Sequence, residues 1–111
     1  MLENDISYIV RGAVFTVYNK LGPGLYESVY QAILKYELEK TGLEVKSEVP
    51  VPVIYDGIKH DLGFRIDLLV NDKVIIELKS VEHLVEVHHK QVITYLKLTG
   101  LKLGLLVNFN T

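Results

Sequence analysis

Asp67, Glu77 and Lys79 are the residues of this chain best suited to chemistry. They lie in Asp67-Leu-Leu-Val-Asn-Asp-Lys-Val-Ile-Ile-Glu77-Leu-Lys79, a stretch that otherwise reads as buried β-structure. Ionised side chains are costly in apolar strands unless they are paired or bound to a metal. Converging on one face of a sheet, these three would form a small acidic cup with an ammonium beside it. Two carboxylates supply the hard oxygen ligands that suit Mg²⁺ or Mn²⁺, leaving positions for waters and a substrate phosphate.

Register decides whether the acids meet. Side chains alternate along a strand, so Glu77 and Lys79 share a face and Val74, Ile76 and Leu78 share the other. A two-residue loop at Asn71-Asp72 would pair Asp67 with Ile76 and put the acids on opposite faces. A three-residue loop, Asn71-Asp72-Lys73, pairs Val70 with Val74, Leu68 with Ile76 and Ile66 with Leu78. Only this second register gives one uniformly apolar face, and burial favours it. It sets Asp67 opposite Glu77 and Arg65 opposite Lys79. Directly opposed carboxylates lie roughly 5 Å apart at Cβ and repel; Lys79 and Arg65 offset this in part, and a divalent cation would do so better. The competing reading is a solvated or internally salt-bridged polar face, since an acid followed by ExK is by itself a weak pattern.

The elements that must hold these residues follow from periodicity. Asn4 or Asp5 can cap a helix carrying Ile6, Ile9, Val10, Ala13, Val14, Val17 and Tyr18 at helical spacing, stopped by Leu21-Gly-Pro-Gly24. A second helix is expected from near Tyr26 to Thr41, with Gly42 after it. Glu44 to Tyr55 is β-like, but Pro50 and Pro52 lack N–H donors, which assigns it to an edge or makes it irregular. Asp56-Gly57 is a turn, and strands are expected over about Lys59 to Val70 and Lys73 to Ser80. A helix from about Val81 or Leu84 to Leu98, ended by Gly100, precedes a last strand from Leu101 to Phe109. The predicted order is ααβββαβ, an α/β (α+β) fold in which the final strand–helix–strand unit makes one parallel pairing within a mixed sheet flanked by helices. The chain stops directly after a strand, which leaves open a C-terminal extension.

On the last helix, His88, Gln91 and Tyr95 fall at i, i+3 and i+7 and so share one stripe, while Val85, Val92 and Leu96 mark another. A polar stripe beside a sheet reads as a site or wet groove, and a solvent-facing surface is the alternative. Adjacent His88 and His89 cannot both reach one metal from a regular helix, which argues against zinc. His60, His83 and His89 are read as structural or exposed.

Bulk properties bound the reading further. The 111 residues, 49% of them hydrophobic, suffice for one core, and residues 1–111 are expected to form a single domain. No apolar run approaches the roughly 20 residues needed to cross a bilayer, and the N-terminus has no signal-peptide pattern; a soluble, cytoplasmic protein is the simplest expectation. With no cysteine, disulfides, thiolate catalysis and Cys-ligated zinc are excluded. A net charge of −2 argues against strong nonspecific nucleic-acid binding, but not against an enzyme that meets phosphate through a local patch and a cation.

Beyond these patterns, Gly24-Leu-Tyr-Glu27-Ser-Val-Tyr30 matches a GxxExxY signature. Leu21-Gly-Pro-Gly24, Pro52-Val-Ile-Tyr55-Asp-Gly57, Asp67, Glu77-Leu-Lys79, His88-His-Lys-Gln91, Tyr95-Leu-Lys-Leu-Thr-Gly100 and Gly104-Leu-Leu-Val-Asn-Phe-Asn110 extend the likeness along nearly the whole chain. The chain thus resembles the GxxExxY protein family, which is similar to the PD-(D/E)XK nuclease superfamily with its restriction-endonuclease-like mixed central sheet flanked by helices. Asp67 corresponds to the acid of the PD position, although Ile66 stands where the proline would be, and Glu77-Leu78-Lys79 to the (D/E)XK triplet. Gln91 and Tyr95 look like the QxxxY motif of RecB-like members, and Glu27 like the additional helix acid. The resemblance implies metal-dependent hydrolysis of phosphodiester bonds in DNA or RNA. Asp67, Glu77 and the Leu78 carbonyl would hold Mg²⁺ or Mn²⁺, with Glu27 binding directly or through water. Lys79 would orient the attacking water, while Gln91, Tyr95, His88 and Arg65 would support the site or contact substrate. A catalytically silent nuclease-fold module that binds nucleic acid or a protein is the alternative. A chain this small has little surface with which to grip a duplex, so a homodimer is expected. For Glu27 alone, a first-turn helix acid favoured by the macrodipole is the plainer reading, and Tyr30 is expected in the core.

Overall fold

The structure is a computed structural model that describes residues 1–110. Helix α1 (Glu3–Leu21) exists because Ile6, Val10, Ala13 and Val17 form one buried stripe. Its first turn is closed by Asp5, whose Oδ2 accepts the Leu2 N–H at 3.0 Å, so Asp5 serves from inside the helix and is not the residue preceding it. Helix α2 (Glu27–Lys40) buries Tyr30, Leu34 and Leu38, which stand one turn apart. Both helices cover one face of the main sheet, where their stripes meet Val45, Leu68, Val70, Val74, Ile76, Leu78 and Phe109.

Six strands follow: β1 (Val45–Pro50), β2 (Val53–Tyr55), β3 (Ile58–His60), β4 (Arg65–Val70), β5 (Val74–Lys79) and, after helix α3 (Glu86–Thr99), β6 (Leu103–Asn108). The main sheet runs β1-β4-β5-β6, antiparallel except for the β5–β6 pair, which is parallel and joined through α3. Helices and main sheet together keep the expected order ααβββαβ. Each of the first two expected strands, however, is broken in two. Glu44 to Tyr55 parts at Val51-Pro52, where the second proline has no N–H to give a ladder, and Lys59 to Val70 parts between His60 and Arg65, where Gly63 takes φ 84°. The intervening pieces pair as a separate ribbon, β2–β3, turned at Asp56 and Gly57, both with positive φ.

The β4–β5 hairpin has the three-residue connection, with Val70↔Val74, Leu69↔Ile75 and Leu68↔Ile76 paired. Asn71 and Asp72 both take positive φ, and the Lys73 N–H donates to the Val70 carbonyl at 2.9 Å. Five residues of the expected apolar face enter the α1–α2 core. Ile66 does not: it is buried with Val51, Leu69, Ile75 and Tyr95 on the α3 side. The change comes where the regular ladders lapse, beyond Leu68–Ile76 on one side and between Ser47–Leu68 and Val49–Ile66 on the other.

Helix α3 comes close to β6 at Gly104, where a Cβ would collide with Val92 Cγ1. Gly100, left-handed at φ 73° and ψ 8°, ends α3 and lets the chain enter β6. Among the described residues, no helix is long and apolar enough to cross a membrane.

Candidate functional site

The lapse in the β4–β5 ladder falls at Asp67 and Glu77. Beyond Leu68–Ile76 the backbones no longer bond to each other, and the two carboxylates take over. Glu77 Oε1 accepts the Asp67 N–H at 3.0 Å, and Asp67 Oδ2 accepts the Leu78 N–H at 2.8 Å. Buried N–H groups need acceptors, and here each acid supplies one to the opposite strand. The clasp fixes both carboxyl groups side by side.

That placement is electrostatically expensive. Glu77 is almost wholly buried, with 2% of its surface exposed. Burial, and next the Asp67 charge, push its carboxyl from the ordinary 4.5 up to about 8, against the opposing pull of the Asp67 N–H and the Lys79 charge. Asp67 is also raised, first by burial and then by the negative charges of Glu48 and Glu27, while the Leu78 N–H and Lys79 act the other way. Lys79 is half-buried, two residues past Glu77 on the same face, and pairs in register with Asn108 of β6. Lys79 and the two N–H groups offset the burial of the pair only in part. Two adjacent, desolvated oxygen donors fit the chemistry of a divalent cation, which Asp67, Glu77 and the neighbouring Leu78 carbonyl could hold.

Glu27 comes from the first turn of α2 and is exposed. The chain before it is tied to the end of β5, because Ser80 Oγ donates to the Leu25 carbonyl at 2.7 Å. Tyr30 locks the same turn: its hydroxyl donates to the Gly22 carbonyl at 2.6 Å and accepts the Leu25 N–H at 3.1 Å. Its ring is fully buried and stacks on Phe109 at 4.3 Å between centroids. Tyr30 thus belongs to the core, as expected, and orients the segment that carries Glu27. The charge of Glu27 reaches Asp67, yet among the described residues no three His, Asp or Glu side chains are gathered as one metal-holding group.

Tyr95 is buried at 2% exposure, and its hydroxyl is used within the fold: it donates to the Arg65 carbonyl at 2.9 Å and accepts from Gln91 Nε2 at 3.2 Å. Burial pushes the phenol above its usual range, so it remains a neutral donor. Gln91 and Tyr95 therefore brace β4 two residues before Asp67. His88 Nδ1 accepts the Val85 N–H at 3.1 Å and closes the first turn of α3. Arg65 lies on the rim, with its guanidinium donating to Asp61 Oδ1 at 3.2 Å and to the Phe64 carbonyl at 2.9 Å.

Two residues near the site were not singled out by sequence reasoning. Glu48 has φ 52° and occupies the gap between the Ser47–Leu68 and Val49–Ile66 pairs, which is the register position opposite Asp67. Applying register arithmetic to β1 as well as β5 would have found it, but the prolines hid which part of 44–55 pairs with β4. Asn108 accepts the Val81 N–H at 3.1 Å and donates to the Val81 carbonyl at 2.9 Å, pinning the chain just after Lys79 to β6. Nothing in the sequence marks this contact, since it joins residues 27 apart.

No curated protein and no solved structure matches the chain. A comparison with sequence models of known families matches residues 4–111, over nearly the whole fold described above: this chain belongs to the PD-(D/E)XK nuclease superfamily.

Proposed function

We propose that this chain is a metal-dependent nuclease of the GxxExxY type, a single domain over residues 1–111 that hydrolyses phosphodiester bonds of DNA or RNA in the cytoplasm. The observation that carries the reading is the reciprocal clasp of Asp67 and Glu77, with Lys79 one step further along the same face. Asp67, Glu77 and the Leu78 carbonyl would hold Mg²⁺ or Mn²⁺, and Glu27 would reach it through water. When bound, the cation supplies positive charge and water activation. Lys79 Nζ orients the attacking water and stabilises charge developing on the phosphoryl oxygens. Tyr95, itself held by Gln91, holds the Arg65 carbonyl, and through β4 the two keep the Asp67 carboxylate aligned. They are positioning residues in this mechanism.

The test is cleavage of single-stranded, duplex and branched substrates with Mg²⁺ or Mn²⁺, compared with Glu77→Ala and Lys79→Ala. Metal-dependent cleavage abolished by both substitutions is expected; equal activity in the substituted proteins would refute the assignment. A catalytically silent module that binds nucleic acid or a protein is the second reading, favoured by the exposed position of Glu27. It predicts no uptake of Mn²⁺. A homodimer would provide the surface that a duplex demands, and size-exclusion light scattering showing a strict monomer would remove that element.

A further inference from the structure

A cavity of about 400 Å³ lies between Phe64 and the outward edge of α3, lined by Val87, His88, Lys90, Gln91 and Tyr95 among others. The volume falls within the range of small-molecule sites. Its walls differ in chemistry. Phe64 is half-buried and held edge-on to the Tyr95 ring, with centroids 6.1 Å apart and planes at 81°. With Val87, 64% exposed, it forms an apolar wall. His88, Lys90 and Gln91 of α3 add polar groups to the lining. Because His88 Nδ1 accepts the Val85 N–H, the neutral imidazole carries its proton on Nε2 and can donate. Gln91 spends its Nε2 on Tyr95, and its Oε1 takes no hydrogen bond among the described residues. Among the described residues Lys90 pairs only with exposed Glu86 at 3.5 Å, a contact readily exchanged for an anion.

An aromatic wall, one donor, one acceptor and a loosely held cation match a flat heterocycle with a hydrogen-bonding edge and an attached phosphate. The cavity also adjoins the clasp. Tyr95 lines it and bonds to the Arg65 carbonyl, and Arg65 precedes Asp67 on β4 by two residues, roughly 7 Å. A base seated against Phe64 and a phosphate at the carboxylates can belong to neighbouring nucleotides. We propose that this cavity is a subsite for an unpaired nucleobase, so that the preferred substrate is single-stranded or frayed nucleic acid. Bases within a duplex keep their faces stacked on each other, whereas a single strand offers them to an aromatic side chain. The inference rests on the nuclease reading above and specifies its substrate.

The experiment measures fluorescence anisotropy in chelating buffer, where no metal is present for cleavage. The probes are a single-stranded oligonucleotide, the same strand with abasic residues, and the blunt duplex. The wild type should bind the intact strand about tenfold more tightly than either other probe. Phe64→Leu, which keeps bulk but removes the ring, and Val87→Glu, on an exposed wall, should each erase the preference for intact over abasic strand. Calorimetric titration with Mn²⁺ should give the same affinity for both variants as for the wild type. An undiminished preference in both variants, with Mn²⁺ uptake intact, overturns the base subsite and leaves the nuclease reading standing. A wild type that takes up no Mn²⁺ overturns the nuclease reading and this assignment with it.

Discussion

Replacing Glu77 by glutamine should make the metal-free protein more stable, and the gain should grow with pH. The wild-type carboxyl titrates at about 8 in the folded chain against an ordinary 4.5, with burial as the main cause. Between these two values the folded protein retains a proton that the unfolded chain has released, so stability falls as pH rises through that window. Below 4.5 the carboxyl costs nothing, and above 8 the full penalty stands. At about 1.36 kcal/mol per pH unit the full penalty is on the order of 5 kcal/mol, of which about 4 kcal/mol develops between pH 5 and pH 9. Glutamine retains an oxygen able to accept the Asp67 N–H at 3.0 Å and carries no charge to desolvate. Urea unfolding in chelating buffer, followed by circular dichroism at intervals of one pH unit, measures the difference directly. With an m-value of about 2 kcal/mol/M, the wild-type midpoint should fall by roughly 2 M relative to Glu77→Gln across that range. Titrating groups remote from the clasp are common to both proteins and cancel, while the glutamine also removes the repulsion between Glu77 and Asp67, which adds to the gain at high pH. Excess Mn²⁺ should flatten the wild-type profile, because a cation compensates the ionised pair, and should leave the variant nearly unchanged. Parallel pH profiles of the two proteins without metal would refute the reasoning, since Glu77 would then be no more costly to ionise in the fold than in the unfolded chain.

Two further substitutions probe the supports of the site. Tyr95→Phe strands the Arg65 carbonyl and the Gln91 amide, so urea unfolding should show a loss of about 1–3 kcal/mol; calorimetry should also show weaker Mn²⁺ uptake if β4 alignment depends on that hydroxyl. Gly104→Ala forces a methyl group into Val92 where α3 packs on β6, and thermal unfolding should show a loss of about 1–3 kcal/mol.

The sequence by itself determined the three-residue β4–β5 connection, because only one register puts Leu68, Val70, Val74 and Ile76 on one face, and that register brought Asp67 to Glu77. Periodicity likewise yielded the helices, and the parallel β5–β6 pair followed from the helix lying between two strands. Local patterns sufficed there because hydrophobic burial acts on every second or every third to fourth residue. Tertiary structure decided what those patterns do not contain. The gaps in the ladders that let carboxylates replace backbone acceptors, the arrival of Glu48 beside Asp67, the use of Tyr95 as a brace for Arg65 and the cavity against Phe64 all depend on strands and a helix meeting across long chain separations. The protonation of Glu77 belongs with them: its affinity for a proton is set by what excludes water and which charges stand near, and the residue name carries neither.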